Sequence, residues 1–452
     1  MNDLEKFGQP FWLDLKRPYF PKLGGDINAD IVIIGAGISG LKLAHALAKR
    51  GISSVILEGA QAGEGASGRN QGSINVGPNT LYAETIEALR STCGAHAQRY
   101  AHRLWQLGSL NLELMEAQMD ELGINCDFQK EGFHMLARRD VEGWEMLLSG
   151  YKLDAQLMQK DGLKAEWMDE SSAISRGGNS LYAGGLFYPK DSQFHSGKFA
   201  IGLAQGITRS RHIRLFENTR VLRIEQAGTS VNIVTTYGNV TAQHVFLLTN
   251  ALVPQHIPAL APAMRAERGQ VFVTEPLPQR PCRGSFGTAM AWWREIPEED
   301  GRYRLLFGGG RVRDEPDSLF RQFDKQGNPH PKLESEGFSP SVMHQRRLDL
   351  EFKKLFPSLS SARISHRWGG LQSFTADRLP LVGTFDPTRN IHGMAGFSGR
   401  GNSYSNIGAE FLADRVAGNK GMIEQQFGDL FEKLMAVNRI SAKWSSWESS
   451  ND

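Results

Sequence analysis

The chain has 452 residues, more than a single compact core usually holds, so its length predicts two domains, possibly interleaved. Its 51 basic and 49 acidic residues leave a formal net charge of +2, which argues against a nucleic-acid-binding surface and against attraction to an acidic membrane. Its three cysteines, Cys93, Cys126 and Cys282, lie far apart without CxxC spacing, so the sequence predicts neither a metal site nor a disulfide framework.

The N-terminal segment predicts neither a secretory signal nor a membrane span. Charges are scattered through residues 1–20, MNDLEKFGQPFWLDLKRPYF, and no unbroken apolar run occurs there. Together with the unpaired cysteines, this pattern predicts a cytoplasmic protein in a reducing compartment.

The first predicted elements surround a cluster of glycines. Residues 31–34 are consecutive β-branched residues, typical of a strand buried on both faces of a parallel sheet. Gly35, Gly37 and Gly40 follow with the spacing G-x-G-x-x-G, and a helix is predicted over 38–50. The first glycine permits a tight turn, the second lets the backbone approach a pyrophosphate, and the third lets helix and strand pack closely. The unpaired N–H groups and the dipole of the helix N-terminus favour phosphate charge.

A second predicted strand, over 54–57, ends at Glu58. A carboxylate at this position accepts both hydroxyls of a ribose and repels a 2′-phosphate. Glycine turns between strand and helix are common, but here the strand, the glycines, the helix, the second strand and the acid all occur in order. The combination predicts binding of an adenine dinucleotide, either FAD or NAD.

The segment after Glu58 carries a family resemblance. Residues 65–70, GASGRN, resemble the second flavin loop of the FAD-dependent amine and amino-acid oxidases of the D-amino-acid-oxidase superfamily, and within it the γ-glutamylputrescine-oxidoreductase-like branch. A loop of glycine, serine and asparagine supplies backbone N–H donors to an anion. Arg69 adds a positive charge beside the pyrophosphate or the flavin.

Further segments extend the resemblance along the chain. Residues 10–30 are similar to the extension that precedes the dinucleotide strand in this branch, and Trp12 is expected to pack there on the body of the protein. By the resemblance, the backbone of Val221 contacts the adenine, and Thr249 and Asn250 end a strand at the flavin.

The C-terminal part of the resemblance is the most specific. Residues 367–383 and 391–419 resemble the C-terminal flavin signature of the superfamily. Residues 391–396 are predicted to form a short buried strand, after which Gly399 and Gly401 permit a tight turn into a helix. The N-terminus of that helix would face the N1/C2 edge of the isoalloxazine, where negative charge accumulates on reduction.

The fingerprint and the resemblance together assign residues to the cofactor and to the pocket. The residues assigned to the FAD are Gly35, Gly37, Ile38, Ser39, Gly40, Glu58, Gly59, Ala66, Ser67, Arg69, Asn70, Gln71, Val221, Thr249, Asn250, Gly370, Gly399, Arg400, Gly401, Asn402 and Ser403. The candidates for the substrate pocket are Trp368, Phe397, Arg400, Tyr404 and His134. For His134 a structural role is preferred, and no catalytic side chain is assigned because the flavin carries the chemistry.

The order of the segments predicts an α/β fold, α+β overall, with a discontinuous Rossmann-like FAD-binding domain and an interleaved substrate domain built on an antiparallel sheet. The predicted FAD domain comprises 28–75, 195–260 and 362–425. The predicted substrate domain comprises 76–194 and 261–361, with strands over 132–137, 270–275 and 304–308 and a helix over 100–122. Residues 1–27 are the N-terminal extension and 426–452 the C-terminal tail.

The resemblance implies oxidation of a C–N bond of an amine or amino acid. Hydride passes from the carbon beside an unprotonated amine to flavin N5, the imine hydrolyses, and oxygen or another acceptor removes the electrons. The amine could be γ-glutamylated or otherwise of the polyamine type.

Three departures from the sarcosine-oxidase-like relatives refine this expectation. Residues 370–372 lack the cysteine that tethers their flavin, so the FAD should be non-covalent. Ser403 stands where they hold the substrate carboxylate with a lysine, which disfavours a simple N-methyl amino acid. No lysine occurs in 302–309 to assist reaction with oxygen, so the acceptor stays open.

Several alternatives remain at this point. An NAD-dependent dehydrogenase of a hydroxy acid fits the first fingerprint alone, but leaves 391–419 without a role. A non-catalytic FAD protein would keep the cofactor fold. A secondary or cyclic amino-acid oxidase or dehydrogenase could pass electrons to an acceptor other than oxygen.

Overall fold

The structure is a computed structural model that describes residues 6–309, 319–320 and 336–439. Its helices are α1 Ile38–Lys49, α2 Tyr82–Cys93, α3 Ala97–Leu122, α4 Trp144–Lys160, α5 Glu170–Gly177, α6 Ser196–Ile207, α7 Val253–His256, α8 Val342–Leu355, α9 Gly401–Ala417 and α10 Met422–Leu430. Its strands are β1 Lys6–Phe7, β2 Ile27–Ile34, β3 Ser54–Leu57, β4 Ser73–Ile74, β5 Phe133–Arg138, β6 Glu166–Met168, β7 Tyr182–Tyr188, β8 Ser192–Gln193, β9 Ile213–Phe216, β10 Val221–Ala227, β11 Ser230–Thr235, β12 Gly238–Leu247, β13 Arg265–Thr274, β14 Ser285–Gly287, β15 Ala291–Pro297, β16 Tyr303–Gly309, β17 Leu319–Phe320, β18 Ile364–Phe374, β19 Leu381–Asp386 and β20 Ile391–Ala395.

One sheet has eight strands and a parallel centre in the order β12, β2, β3, β9. Strand β2 is central, and Ile33 stands opposite Phe246 on one side and Ile56 on the other. Ile33 packs into the core under α1, whereas its neighbours Val32 and Ile34 pack into the core on the other face. The predicted strand buried on both faces is therefore confirmed.

Helix α1 connects β2 to β3 and is buried along Ile38 to Leu47 on every side. The sequence pattern indicated a helix with one buried face. The second face is covered because α6 and α9, which come from distant parts of the chain, pack on it. This enclosure buries Lys42 and His45, which an isolated helix would expose to water.

A second sheet has ten strands, most of them antiparallel, and includes β5, β13, β16 and β18, and β4 and β8 form a separate two-stranded sheet. The strands predicted over 132–137, 270–275 and 304–308 are present, with boundaries that differ by one to a few residues. Segments of the two sheets alternate along the chain, which confirms the predicted mixed α/β fold. Within the described residues, no helix combines the length and the apolar character that a membrane span requires.

The placement of β18 differs from the prediction, which began the third piece of the FAD domain at residue 362. Strand β18 pairs along its whole length with β13 and with the short β1, and so belongs to the ten-stranded sheet. Its paired glycines allow this strand to pass close to the second flavin loop, since a Cβ on Gly370 would lie 3.2 Å from the Cβ of Arg69. The resemblance assigned this segment to the flavin, and Gly370 lines the cavity, but proximity to a cofactor does not determine the sheet to which a strand belongs.

The described parts of the N-terminal extension and of the predicted C-terminal tail contribute to the packed structure. In the N-terminal extension, Trp12 is fully buried. In the predicted tail, Leu430, Leu434 and Met435 are buried against the helical layer. Residues 1–5, 310–318, 321–335 and 440–452, which the predicted domains include, lie outside the described residues.

Candidate cofactor and active site

A cavity of about 820 Å³ lies at the carboxyl ends of β2, β3 and β12 and beside β18. Ligands of open α/β sheets bind at this edge, because the helices that follow the strands present their N-termini there. The predicted residues that line the cavity are Gly35, Gly37, Ile38, Ser39, Glu58, Gly59, Ala66, Ser67, Arg69, Asn70, Val221, Thr249, Asn250, Gly370, Phe397, Gly399, Gly401 and Asn402.

The glycine fingerprint forms the turn between β2 and α1. Gly35 has φ +104°, a conformation that favours glycine, and Gly37 is the N-cap of α1 without a side-chain hydrogen bond. Gly40 does not line the cavity: a Cβ there would lie 1.9 Å from the carbonyl oxygen of Gly35. Its role is therefore the close packing of helix on strand, and its assignment to the FAD is corrected to an indirect one.

Glu58 is fixed at the end of β3 by two backbone donors. Its carboxylate accepts from the N–H of Ala36 at 2.7 Å and from the N–H of Ala60 at 2.9 Å. Burial raises the pKa of Glu58 above its ordinary value, and these hydrogen bonds oppose the rise. The arrangement holds an acceptor against the cavity, as a ribose requires.

Asn70 shapes the second flavin loop from within. Its amide nitrogen donates to the carbonyls of Ala66 and Ser67, at 3.1 and 2.7 Å. Its amide oxygen accepts from the N–H of Gly72 at 2.6 Å and from the hydroxyl of Ser196 at 2.7 Å. The side chain thus uses both donors and two acceptor positions inside the protein, so that only its backbone is open to a ligand.

The guanidinium of Arg69 is also engaged by the protein. It donates to the carbonyl oxygens of Glu64, Phe338 and Gly369, at 2.8, 3.3 and 3.3 Å. Burial lowers its pKa to about 10, so it stays charged at neutral pH. Arg69 lines the cavity as a fixed cation whose geometry is set by these three carbonyls.

Thr249 and the C-terminal turn form a further part of the cavity lining. The hydroxyl of Thr249 is buried and has no partner in the described part of the chain, which leaves a polar group for a ligand to satisfy. Helix α9 begins at Gly401, and no side chain caps it. The next residue, Asn402, is held on both sides: it donates to the carbonyl of Ser73 at 2.9 Å, and its own carbonyl accepts from Asn111 at 2.8 Å.

Three other residues assigned to the FAD lie off the cavity lining. The side chain of Arg400 turns towards Asn79, with 3.4 Å between its Nη2 and the amide oxygen, and burial lowers its pKa. Ser403 is buried behind the turn, and Gln71 points its amide nitrogen into a buried position without a partner in the described residues. These corrections concern the side chains of the three residues and not their backbone groups, because sequence does not specify which way a side chain leaves a loop.

The pocket candidates separate into two groups. Phe397 lines the cavity, whereas Trp368 and Tyr404 are fully buried behind it. His134 lies in the ten-stranded sheet, stacked between Phe187 and Phe286 with ring centroids 4.4 Å from each. Burial lowers the pKa of His134 to about 4, and the residue lies off the cavity lining.

Some lining residues were not predicted. They include Glu64, Arg220, Gln255, His256, Phe338 and Gln372. For Gln372 a signal was present, because it stands two positions from Gly370 and therefore on the same face of β18. Glu64, Arg220 and Phe338 come from connecting segments whose side-chain directions follow no period, and Gln255 and His256 come from the four-residue helix α7. Within the described residues, no cluster of three or more metal-ligating side chains occurs.

Comparison with known proteins decides the family. The model of the DAO family, described as FAD dependent oxidoreductase, matches residues 30–415. The chain belongs to this family. This DAO-family protein is thus an FAD-dependent oxidoreductase, and FAD replaces the NAD that the first fingerprint left open.

Relatives of this DAO-family protein agree with that assignment. It is 27% identical over 417 residues to gamma-glutamylputrescine oxidoreductase of Escherichia coli, covering 88% of this chain and 86% of that protein. The structure of glycine oxidase from Geobacillus kaustophilus superposes with a TM-score of 0.67 at 20% identity, covering 87% of this chain and 96% of the other. That of L-proline dehydrogenase from P. horikoshii gives 0.67 at 19% identity, covering 92% and 100%. These structures establish the shared fold.

The cavity of the DAO-family protein fits FAD. Two helix N-termini whose own N-cap residues make no side-chain hydrogen bond, the fixed carboxylate of Glu58 and the unpartnered hydroxyl of Thr249 meet at one cavity. Helix N-termini bind the pyrophosphate and an electron-rich ring edge, and the carboxylate binds a ribose. When bound, FAD supplies the hydride acceptor, so the protein has to bind, orient and exclude water.

Proposed function

We propose that the protein oxidises the C–N bond of an amine, and that the amine is γ-glutamylated or otherwise of the polyamine type. The carbon beside the unprotonated amine gives up a hydride, and the resulting imine is hydrolysed by water. The likeness to gamma-glutamylputrescine oxidoreductase supports this substrate class.

One structural observation carries the proposal. Around the C-terminal turn the described lining residues are neutral: Phe397, Gly399, Gly401 and Asn402, with Gln372 opposite. A Cβ on Gly399 would lie 3.6 Å from the amide nitrogen of Asn79 and 3.9 Å from the amide oxygen of Gln372. The described turn residues on the lining are therefore uncharged, and none of them is a cation that could bind a carboxylate next to the reacting carbon.

The positions of the charged lining residues support binding of a neutral amine at the turn end of the cavity. Glu58 and Glu64 belong to the segment that follows β3, at the fingerprint end, and Arg220 lies beside Gly59 of the same segment. Arg69 donates to three carbonyls. In the described part of the chain, no carboxylate lines the turn end to stabilise a substrate ammonium. A neutral amine is thereby favoured, so the rate of flavin reduction should rise with pH through the pKa of the bound amine.

The test is anaerobic reduction of the purified holoenzyme followed by its visible spectrum. γ-Glutamylputrescine, putrescine, sarcosine and proline are added separately at equal concentration. Rapid bleaching by γ-glutamylputrescine, together with formation of its aldehyde product, supports the proposal. Bleaching by sarcosine or proline alone overturns it in favour of a secondary or cyclic amino acid, and a flavin that none of them reduces points to a non-catalytic protein.

The electron acceptor and the cytoplasmic location stay predictions. In the described strand β16 the basic residue is Arg304, whose guanidinium pairs with Glu298, and no lysine occurs. Readmitting air to the reduced enzyme distinguishes an oxidase from a dehydrogenase. Reoxidation within seconds identifies an oxidase, and a persistently reduced flavin identifies a dehydrogenase that uses another acceptor.

A further inference from the structure

Two buried tryptophans hold two consecutive carbonyls of the second flavin loop. The indole N–H of Trp12 donates to the carbonyl oxygen of Asn70 at 2.7 Å, and that of Trp368 donates to the carbonyl oxygen of Arg69 at 3.0 Å. Both indoles are 0% exposed and belong to one hydrophobic cluster. Trp12 lies in the N-terminal extension, outside residues 30–415 that the family model matches.

These hydrogen bonds determine the orientation of two peptide groups. In a planar trans peptide the C=O and the N–H point in opposite directions, and the described residues contain no cis peptide. The N–H groups of Asn70 and Gln71 therefore point away from the two indoles. Within the described residues neither N–H has an acceptor, and a backbone N–H that a ligand shields from water needs one. Asn70 lines the cavity, so a ligand in the cavity is the available acceptor.

The N-terminal extension packs closely against the second flavin loop and against α6. A Cβ on Gly68 would lie 2.5 Å from Cδ2 of Leu13, and a Cβ on Gly197 would lie 1.7 Å from the carbonyl oxygen of Trp12. The guanidinium of Arg17 also donates to the carbonyl of Ala62. The extension thus fits against glycines on both the loop and α6, and its position determines that of the Trp12 indole.

We propose that Trp12 and Trp368 are positioning residues for the FAD. By holding the carbonyls of Arg69 and Asn70, they direct the N–H groups of Asn70 and Gln71 to electronegative atoms of the bound cofactor. The N-terminal extension is accordingly part of the cofactor site. The inference rests on FAD binding and makes no use of the amine substrate, so its failure would leave the proposed function unaffected.

The test compares W12F and W368F with W293F. Phenylalanine keeps an aromatic ring and removes the indole donor. Trp293 is a matched control because it is 0% exposed and its indole N–H has no partner in the described part of the chain. Apoprotein of each variant is titrated with FAD, and its thermal midpoint is measured separately. We expect the Kd for FAD to rise about five- to tenfold in W12F and in W368F, and to change less than about twofold in W293F.

A purely structural role of Trp12 gives a different result. In that case W12F lowers the thermal midpoint as W293F does, and the Kd for FAD of the folded protein is unchanged, which would overturn the proposal.

If W12F does not fold, hydrogen exchange in the wild-type protein tests whether the two N–H groups donate to FAD. The amides of Asn70 and Gln71 should exchange slowly with FAD bound and at least tenfold faster in the apoprotein. Equal exchange in the two states would refute the donor role.

Discussion

The carboxylate of Glu58 accepts a hydrogen bond from the backbone N–H of Ala36, at 2.7 Å, while it lines the cofactor cavity. Glu58→Ala removes this acceptor together with the proposed ribose acceptor. Because hydrogen bonds to a charged group contribute about 1.5–3 kcal/mol, we expect the Kd for FAD to rise about 10- to 100-fold. Glu58→Gln, which retains one amide oxygen, should give an intermediate value. Titration of the apoproteins with FAD measures both.

Glu64→Gln is the control for that experiment, because Glu64 also lines the cavity. We expect a change of less than about twofold in Kd, since no protein donor depends on its carboxylate in the described residues. An equal loss of FAD affinity in E58A and E64Q would show that affinity depends on the general negative charge of the cavity and not on the position of the Glu58 oxygens.

Gly40→Ala should disrupt the junction of β2 and α1. The added Cβ would lie 1.9 Å from the carbonyl oxygen of Gly35, and backbone cannot move aside as a flexible side chain does. We expect a loss of at least about 3 kcal/mol in stability and weak FAD binding, because the helix N-terminus shifts relative to the strand. Urea unfolding with FAD titration tests this expectation.

Gly150→Ala is the matched substitution. Gly150 lies inside α4, and its added Cβ would meet only Cδ1 of Leu81, at 3.4 Å. Replacing an interior helix glycine by alanine should raise stability, by up to about 1 kcal/mol. A destabilised G150A together with a native-like G40A would contradict the packing argument.

Features close together in sequence were the predictable ones. The strand before Gly35, the glycine turn, α1 and the acid Glu58 follow from local pattern, since each is set by residues within a few positions. The placement of β18 could not be predicted in this way, because it depends on pairing with β13 across a sequence separation of about 100 residues, such as Gly269 opposite Gly370.

The directions of the side chains at the site could likewise not be predicted from the sequence. Arg400 occupies the glycine turn as predicted, yet its guanidinium turns to Asn79 instead of the cavity. Asn70 lies in the flavin loop as predicted, but its amide is used within the protein. Trp12 was expected only to pack, and its hydrogen bond to Asn70 joins segments 58 positions apart. Each outcome is determined by a partner that approaches only after the chain has folded.

His134 should make stability depend on pH. Burial lowers its pKa from the ordinary 6.5 to about 4, so below about pH 6.5 the unfolded chain binds a proton that the folded chain does not. Stability should therefore fall as pH falls from 6.5 to 4, by at most about 1.4 kcal/mol per pH unit for this residue. H134N lacks the titrating ring, so its urea midpoint should fall less than that of the wild type between pH 7 and pH 5.

The comparison with H134N is needed because other groups oppose the effect. Burial raises the pKa of Asp154 and of Asp191 to about 6, and these carboxyls stabilise the folded state as pH falls. Their contribution is the same in both proteins and cancels in the difference. Parallel pH profiles for the two proteins would show that the His134 ring titrates alike in the folded and unfolded states.

The flavin should be released by denaturation. Residues 370–372 contain no cysteine, and none of Cys93, Cys126 and Cys282 lines the cavity. Precipitation with trichloroacetic acid should leave all flavin absorbance in the supernatant. Fluorescence that stays with the protein band on a denaturing gel would reveal a covalent bond, and H256A would then test His256, which does line the cavity.

Lys42→Met should stabilise the protein at neutral pH. The lysine is 1% exposed on α1, and its ammonium donates to the hydroxyl of Ser405 on α9 at 2.8 Å. Desolvation lowers its pKa from 10.5 to about 7. Between these values the unfolded chain binds a proton that the folded chain does not, so wild-type stability should increase from pH 7 to pH 10. Methionine of similar length fills the space without this penalty.

The pH dependence distinguishes the removal of the Lys42 desolvation cost from a simple gain in packing. The urea midpoint of K42M should exceed that of the wild type at pH 7, and the two should approach each other by about pH 10. K152M, at an exposed position on α4, should match the wild type at both values. A K42M apoprotein less stable than wild type at pH 7 would mean that the bond to Ser405 outweighs desolvation, because methionine removes both at once.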